Sequence, residues 1–288
     1  MTLSNTSIAA VSGVLLVGAY MVDKNFMPFV AAGVAATWAR TFFNKSAPRT
    51  PPLDPKEYRK FTLVDKIVVS HNTAMYKFAL PHEDDILNLP IGQHISIMAN
   101  INGKEISRSY TPTSSSDDLG HFVLLIKSYP QGNISKMFGD LSIGDTINAR
   151  GPKGQFNYTP NMCRHIGMIA GGTGLTPMLQ VVRAIVKNPE DKTLVSLIFA
   201  NVNHEDILLK TELELLAKKH PQFKLHYVLN NAPEGWQGGE HMPAPAADIK
   251  VLLCGPPPMV SAMSKITQEL GYDKVNAVSK LPDQVFKF

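Results

Sequence analysis

Apolar and polar residues alternate along the chain in two rhythms. From Phe61 to about Tyr158 the apolar positions fall in short runs broken by turn residues: "FTLVDKIVVS", "TAMYKFAL", "HISIMANI", "EISRSYT", "HFVLLIKSY" and "DTINARGP". Runs of that length and spacing predict antiparallel strands closed into a barrel. A short helical period appears only at "NISKMFGDL". From Cys163 the rhythm changes. "HIGMIA", "TLVSLIFAN", "KLHYVLN" and "DIKVLLC" are compact apolar runs, the pattern of strands buried on both faces. Helical stretches stand between and after them: "LTPMLQVVRAIVK", "EDILLKTELELLAKKH" and "PPPMVSAMSKITQEL". Strand alternating with helix predicts a parallel sheet wound on both sides. The expected fold class is therefore β followed by α/β, with a β-barrel over residues 58–161 and a parallel α/β domain over 162–288.

A third pattern precedes both. "IAAVSGVLLVGAYMV" (8–22) is fifteen residues without a charge. As a helix rising about 1.5 Å per residue it falls short of a hydrocarbon core of about 30 Å, and the uncharged Thr2 to Ser7 make up the difference. Asp23 and Lys24 end the run. A second apolar stretch, "NFMPFVAAGVAATWARTFF" (25–43), carries Pro28 early and Trp38, Phe42 and Phe43 at its end, beside Arg40, Lys45 and Arg49. That combination suits a membrane–water interface with the basic flank in the cytosol. No basic residue precedes the first run, which argues against a cleaved signal peptide or a mitochondrial presequence. Residues 1–45 are expected to be an uncleaved membrane anchor, one transmembrane helix or a tight pair. "SAPRTPPLDP" (46–55) opens a stiff, Pro-rich tether expected to run to residue 57.

Charge sharpens this picture. The chain carries a net +4, and residues 1–49 hold Lys24, Arg40, Lys45 and Arg49 against Asp23 alone. The remaining 239 residues hold 24 basic and 23 acidic side chains. Basicity belongs to the tail, so a nucleic-acid partner is unsupported. Hydrophobic residues at 44% and charged ones at 18% exclude a disordered chain. The two cysteines, Cys163 and Cys254, have no metal-ligand spacing, and no metal site is expected.

Three short stretches carry candidate chemistry. In "RSYT" (108–111) an extended backbone puts Arg108 and Tyr110 on one face and Thr111 on the other, until Pro112 bends the chain. An exposed strand end before a proline turn accounts for that string equally well. "IAGGTGLTPML" leaves a strand through Gly171, Gly172 and Gly174 into a helix. Glycines allow close backbone approach there, and a helix N-terminus offers N–H groups to a phosphate. It is neither a P-loop nor a GxGxxG fingerprint. "LLCGPPPMV" closes a strand on Cys254 and Gly255, with Pro257 or Pro258 suited to a first helical turn.

Taken in order, "RSYT", "GNIS", "GGTGLTP" and "CGPPPM", followed by a C-terminal aromatic residue, resemble the ferredoxin reductase-like flavoproteins. Among them the chain is similar to the membrane-anchored NADH–cytochrome b5 reductases of fungi, from about Phe61 to Phe288. The resemblance implies an FAD-binding barrel and a Rossmann-like NADH-binding domain. Hydride would pass from NADH to FAD, and single electrons onward to cytochrome b5 or a similar haem or metal carrier. One such carrier serves diphthamide synthesis and tRNA modification. A monomer is implied, its catalytic part cytosolic, on the endoplasmic reticulum or the mitochondrial outer membrane. The rivals are an outer-mitochondrial paralogue and a membrane adaptor that has lost NADH binding.

The resemblance also implies roles for individual residues. Arg108 would pair with the FAD diphosphate, with Ser109 beside it; Tyr110 would lie along the flavin and ribityl chain, and Thr111 would donate toward flavin N5. His94 would stand behind the threonine as a proton relay, or serve as a hydrogen-bonded core histidine. Lys127 would sit near flavin N1 and C2=O, or be a solvated lysine, with Tyr129 two positions on. Gly132, Asn133, Ile134 and Ser135 match a phosphate-binding turn, in which methionine is frequent at the place of Ile134. Gly171, Gly172, Thr173, Gly174, Thr176 and Pro177 would take the NADH diphosphate. Cys254, Gly255, Pro256, Pro257 and Met259 would border the nicotinamide, Cys254 by placement and not as a nucleophile, or as a merely structural cysteine. Asp206 would meet the adenosine ribose. With Glu205 alongside and His204 the nearest cation in sequence, NADH is favoured over NADPH. Phe288 would cap the flavin. After "NNAPEGWQGGE" the family carries a longer stretch that is missing here, either a loop shortening or a loss that weakens the NADH side.

Overall fold

A computed structural model of the chain describes residues 28, 30–35, 49–236 and 242–288. The chain divides into two compact units, Met1–Thr50 and Pro51–Phe288. In the first, residues 28 and 30–35 are helical. The expected span over 8–22 and most of the second apolar run lie outside the described residues. Among the described residues no helix is long and apolar enough to cross a membrane.

Six antiparallel strands open the second unit: β1 (Arg59–Ser70), β2 (Thr73–Ala79), β3 (His94–Ile101), β4 (Lys104–Tyr110), β5 (His121–Lys127) and β6 (Thr146–Lys153), in the order β4-β3-β6-β1-β2-β5. Strand β1 serves two ladders. Arg59–Thr62 pair with β6, and Leu63 onward pairs with β2, so one long strand carries the sheet around. Alternate residues turn inward, and Phe61, Phe78 and Phe122 meet there at centroid distances of 5.2 and 5.4 Å. The short helix α1 (Ile134–Asp140) buries Ile134 and Phe138 against this core. Phe138 lies 5.1 Å from Tyr76 and 5.6 Å from Tyr110.

The expected barrel is not closed by a ladder between β4 and β5. Pro112, just past β4, has no N–H to offer a neighbouring strand. Two bonds bridge the gap instead: Thr113 N donates to the Val123 carbonyl at 2.8 Å, and Val123 N donates to Ser114 Oγ at 3.0 Å. The tether also departs from expectation in its second half. Leu53 is 6% exposed and joins the apolar core of the first sheet. The Asp54 carboxylate accepts from Lys56 N and Glu57 N, while its carbonyl accepts from Gly151 N at 2.9 Å.

The second sheet contains β7 (His165–Gly171), β8 (Leu194–Asn201), β9 (Phe223–Leu229), β10 (Ile249–Cys254) and β11 (Val285–Lys287), ordered β11-β10-β7-β8-β9 and parallel throughout. Helices α2 (Leu175–Lys187), α3 (Lys210–Lys219) and α4 (Pro257–Glu269) connect or flank these strands. Strands β7 and β10 are buried almost throughout, as continuous apolar runs should be. Edge strand β9 exposes Lys224 and Val228 and departs from that pattern. Helix α3 is shorter than its periodicity predicts. A 3-10 turn over His204–Asp206 and a left-handed Leu209 (φ 53°) intervene, because Asn203 and Asp206 form a capping box that closes the turn early. Strand order reverses between β7 and β10, which brings their carboxyl ends together where a ligand crevice forms in such sheets.

One face of α2 joins the two sheets. Gln180, Arg183 and Lys187 recur at i, i+3 and i+7. Gly92 N donates to Gln180 Oε1 at 2.7 Å, Arg183 donates to the Thr113 carbonyl, and Lys187 pairs with Asp117.

Candidate active site between the two sheets

The ends of β7 and β10 interlock through bare backbone. A Cβ on Gly171 would lie 2.6 Å from Met259 Sδ and 2.9 Å from Pro256 Cδ. One on Gly174 would overlap the Cys254 carbonyl, and one on Gly255 would overlap the Met259 terminal methyl. Gly172 adopts a positive φ of 55°, which glycine takes without strain. The chain then enters α2, whose N-terminus no side chain caps. Such an end leaves N–H groups for an anion.

A cleft of about 530 Å³ opens beside this junction. His94, Ser109, Tyr110, Thr111 and Tyr129 line it from the first sheet; Gly171, Thr173, Gly174, Thr176, Pro177, Cys254, Gly255, Pro256, Pro257 and Phe288 line it from the second. The structure therefore brings together residues drawn from three separate motifs. Leu124 and Leu125 line it too and were not expected. Both are nearly fully buried in β5, and the run "VLLI" there already breaks the alternation of a half-exposed strand.

Other expected residues lie outside this lining. Arg108 is exposed; its guanidinium donates to the Ser107 carbonyl at 2.8 Å and makes no ion pair among the described residues. Gly132 to Ser135 form the turn leading into α1. Gly132 N donates to the Tyr129 carbonyl, and Ser128 Oγ donates to the Ser135 carbonyl. Ile134 is buried there, and Asn133 stands at the N-cap without a side-chain bond. Met259 packs onto Gly171 and Gly255, behind the cleft wall.

Thr111 and His94 both line the cleft, but no hydrogen bond joins them among the described residues. Burial, and then Lys153, hold His94 below its ordinary pKa, so the ring is neutral near pH 7. Burial pushes the Cys254 thiol up to about 12. A protonated thiol is no nucleophile. Phe288 N donates to the Leu253 carbonyl at 3.0 Å, and its ring meets Phe286 at 5.1 Å and Phe156 at 5.7 Å.

Lys127 and Asp206 are brought together at 3.1 Å, with their side chains only 15% and 11% exposed. Asp206 Oδ2 accepts from Asn203 N at 3.2 Å and Asn203 Nδ2 at 3.1 Å, and Asn203 Oδ1 accepts from Asn231 Nδ2 at 2.8 Å. The hydrogen bond from Lys127 holds the Asp206 carboxyl below its usual range, against the opposing effect of burial. Sequence order named His204 as the cation nearest Asp206. The cation that the structure supplies comes from the other sheet, 79 positions away.

Comparison with known proteins identifies the family. A family model described as the oxidoreductase FAD-binding domain matches residues 60–158, and one described as the oxidoreductase NAD-binding domain matches 168–265. The chain is 80% identical to NADH-cytochrome b5 reductase 1 of Mortierella alpina over 298 aligned positions, covering 100% of both chains. Those positions are ten more than the 288 residues of this chain. It is 55% identical to the protein of the same name from Aspergillus fumigatus, covering 96% of this chain and 95% of that one. Among solved structures, the cytochrome b5 reductase domain of Ulva prolifera nitrate reductase is 34% identical with a TM-score of 0.74, covering 83% of this chain and 100% of that one. The CS-b5R domains of human Ncb5or are 26% identical with a TM-score of 0.65, covering 80% and 69%.

Proposed function

The chain belongs to the NADH–cytochrome b5 reductase family of FAD- and NAD-binding oxidoreductases, and from that premise we propose that its cleft is where NADH meets FAD and that cytochrome b5 takes the electrons onward. One observation carries the reading. A single cleft is walled on one side by Tyr110 and Thr111, and on the other by the glycine-rich ends of β7 and β10. The residues present fit the two cofactors: glycines that a Cβ would crowd, a helix end without a side-chain cap, and an arginine that makes no ion pair among the described residues.

In this reading the FAD-binding part is residues 58–161 and the NADH-binding part 162–288. FAD supplies a ring that accepts hydride and releases electrons one at a time. Arg108 and the turn from Gly132 to Ser135 hold its diphosphate. Tyr110 lays a flat apolar ring against it, and Thr111 presents a hydroxyl to the hydride-accepting edge. Thr173, Thr176 and the backbone of Gly174 hold the NADH diphosphate, while Gly171 and Gly255 leave the nicotinamide room to approach. Pro256, Pro257 and the neutral Cys254 thiol form an uncharged wall, and Phe288 keeps water from the reacting edge. Placement, more than covalent chemistry, lowers the barrier to hydride transfer. Asp206 faces the adenosine ribose. Residues 1–45 anchor the enzyme with its catalytic part in the cytosol, at the endoplasmic reticulum or the mitochondrial outer membrane; their uncharged run and basic flank support this.

The test uses full-length protein solubilised in detergent. It should purify yellow, lose its visible flavin absorption on anaerobic addition of NADH, and regain it when oxidised cytochrome b5 follows. A colourless protein removes the FAD reading. A yellow protein that NADH does not bleach makes the chain a membrane adaptor with a weakened NADH side. Bleaching without recovery in cytochrome b5 points to another acceptor, such as the small metal protein serving diphthamide synthesis and tRNA modification.

A further inference from the structure

Asp206 is not a lone negative charge. A carboxylate offers about four lone-pair positions. Oδ2 uses two on Asn203, and Oδ1 uses one on Lys127. A ribose diol facing this carboxylate finds one vacant acceptor position where an unpaired aspartate would offer two on the same oxygen. The electrostatics change as well. A phosphate carried on the 2′-oxygen would approach a carboxylate and an ammonium only 3.1 Å apart, whose fields partly cancel. Simple repulsion by Asp206 therefore explains only part of a preference for the nucleotide without that phosphate. The other part is that the ammonium of Lys127 is already engaged.

We propose that Lys127 is a specificity-determining residue: a cation able to receive a 2′-phosphate on the adenosine ribose, kept from doing so by Asp206. The inference rests on the reading that Asp206 faces that ribose. Removing Asp206 does more than relieve repulsion, because it leaves a largely buried ammonium without a partner, which a 2′-phosphate then satisfies. Removing Lys127 has the opposite sign. The carboxylate loses its neutralising partner, rejects a 2′-phosphate more strongly, and regains an acceptor position for the diol. Lys127 acts here through charge and not on the reacting atoms.

Binding of NAD⁺ and NADP⁺, which differ only in that phosphate, tests this without turnover. Calorimetric Kd values are measured on FAD-loaded, full-length protein. Asp206→Ser is expected to shift the ratio of the two Kd values toward NADP⁺ by at least about tenfold. Lys127→Met should shift it about threefold or more the other way. The double variant Asp206→Ser/Lys127→Met should lose most of the single variant's gain, whereas Asp206→Ser/Lys127→Arg should keep it. That non-additivity is the signature of a shared ligand, and a merely structural role for Lys127 would not produce it. Added salt should shrink the gain of Asp206→Ser. If Asp206→Ser leaves the ratio unchanged, Asp206 does not face the ribose and the proposal falls with that reading. If Asp206→Ser gains NADP⁺ affinity and the Lys127→Met double variant keeps it all, the ribose reading stands and Lys127 has no part in selection. FAD content and melting temperature are recorded for each variant, and Asp206→Asn replaces Asp206→Ser where the latter fails to load FAD.

Discussion

Arg108 is the residue whose surroundings ask most plainly for a ligand. Its guanidinium donates to the carbonyl of its own neighbour and makes no ion pair among the described residues. A charge-assisted bond to a phosphate contributes roughly 1.5–3 kcal/mol, so Arg108→Ala is expected to weaken FAD binding by about 10- to 150-fold. Flavin per polypeptide after gel filtration reads this directly, and full occupancy at micromolar FAD would remove Arg108 from the site. His94 gives a pH signature. Its folded pKa lies below the unfolded value of 6.5, so the unfolded chain takes up the proton first. Stability at this residue is therefore lost as pH falls below 6.5 and regained as it rises, and His94→Gln removes that dependence. Urea melts at about pH 7.5 and 5.5 should show the variant gaining on the wild type at the lower pH. Equal gaps at both would mean the imidazole is not held neutral. His165, lowered by burial and then Arg164, keeps part of the wild-type slope in either protein. These properties differ in how far the sequence discloses them. Arg108, Tyr110 and Thr111 stand together in one string, but that string suits a plain strand end equally well, and only its resemblance in order with three later motifs nominated them. The Lys127–Asp206 pair spans 79 positions, and no local spacing rule could join them.

Helix α2 shows what an element adds to its residues. Its apolar period was legible in sequence, and its bounds match the stretch "LTPMLQVVRAIVK". Its polar positions were not legible, because Gln180, Arg183 and Lys187 look like an ordinary solvated stripe until the first sheet is set against them. Their contributions should differ sharply. Arg183 is about one-third exposed, bonds the Thr113 carbonyl, and pairs with Glu212. Lys187 and Asp117 are 66% and 69% exposed. Arg183→Ala is expected to cost about 1–3 kcal/mol, and Lys187→Ala between zero and about 1. Urea midpoints of the flavin-loaded protein check this, and equal costs would mean the seam is not organised around Arg183. Elsewhere the sequence misled for physical reasons. Strand β11 is three residues long, too short to show a period. The start of α3 depends on the Asn203–Asp206 capping box, and the first sheet lacks a β4–β5 ladder beside Pro112, which has no N–H to offer. Neither is a property of hydrophobic pattern.

At the scale of the whole molecule, the question is where the catalytic unit begins. Residues 2–22 are 21 positions without a charge, about 31 Å as a helix, which matches a hydrocarbon core of about 30 Å. The catalytic unit starts at Pro51, ahead of the first strand, because Leu53 inserts into the apolar core and Asp54 bonds Gly151. Two truncations therefore separate anchoring from folding. Deleting residues 1–45 should abolish salt-resistant membrane association, yet leave FAD content, bleaching by NADH and urea stability unchanged, since every residue of the cleft and the Leu53 contact remain. Deleting residues 1–57 removes Leu53 as well, and losing a buried leucine costs about 2–5 kcal/mol. That protein should bind less flavin and unfold at a lower urea concentration, although no residue of the cleft has been touched. Membrane retention of the shorter deletion in high salt would overturn the anchor. Equal stability of the two truncated proteins would show that residues 51–57 only lie against the sheet and do not hold it.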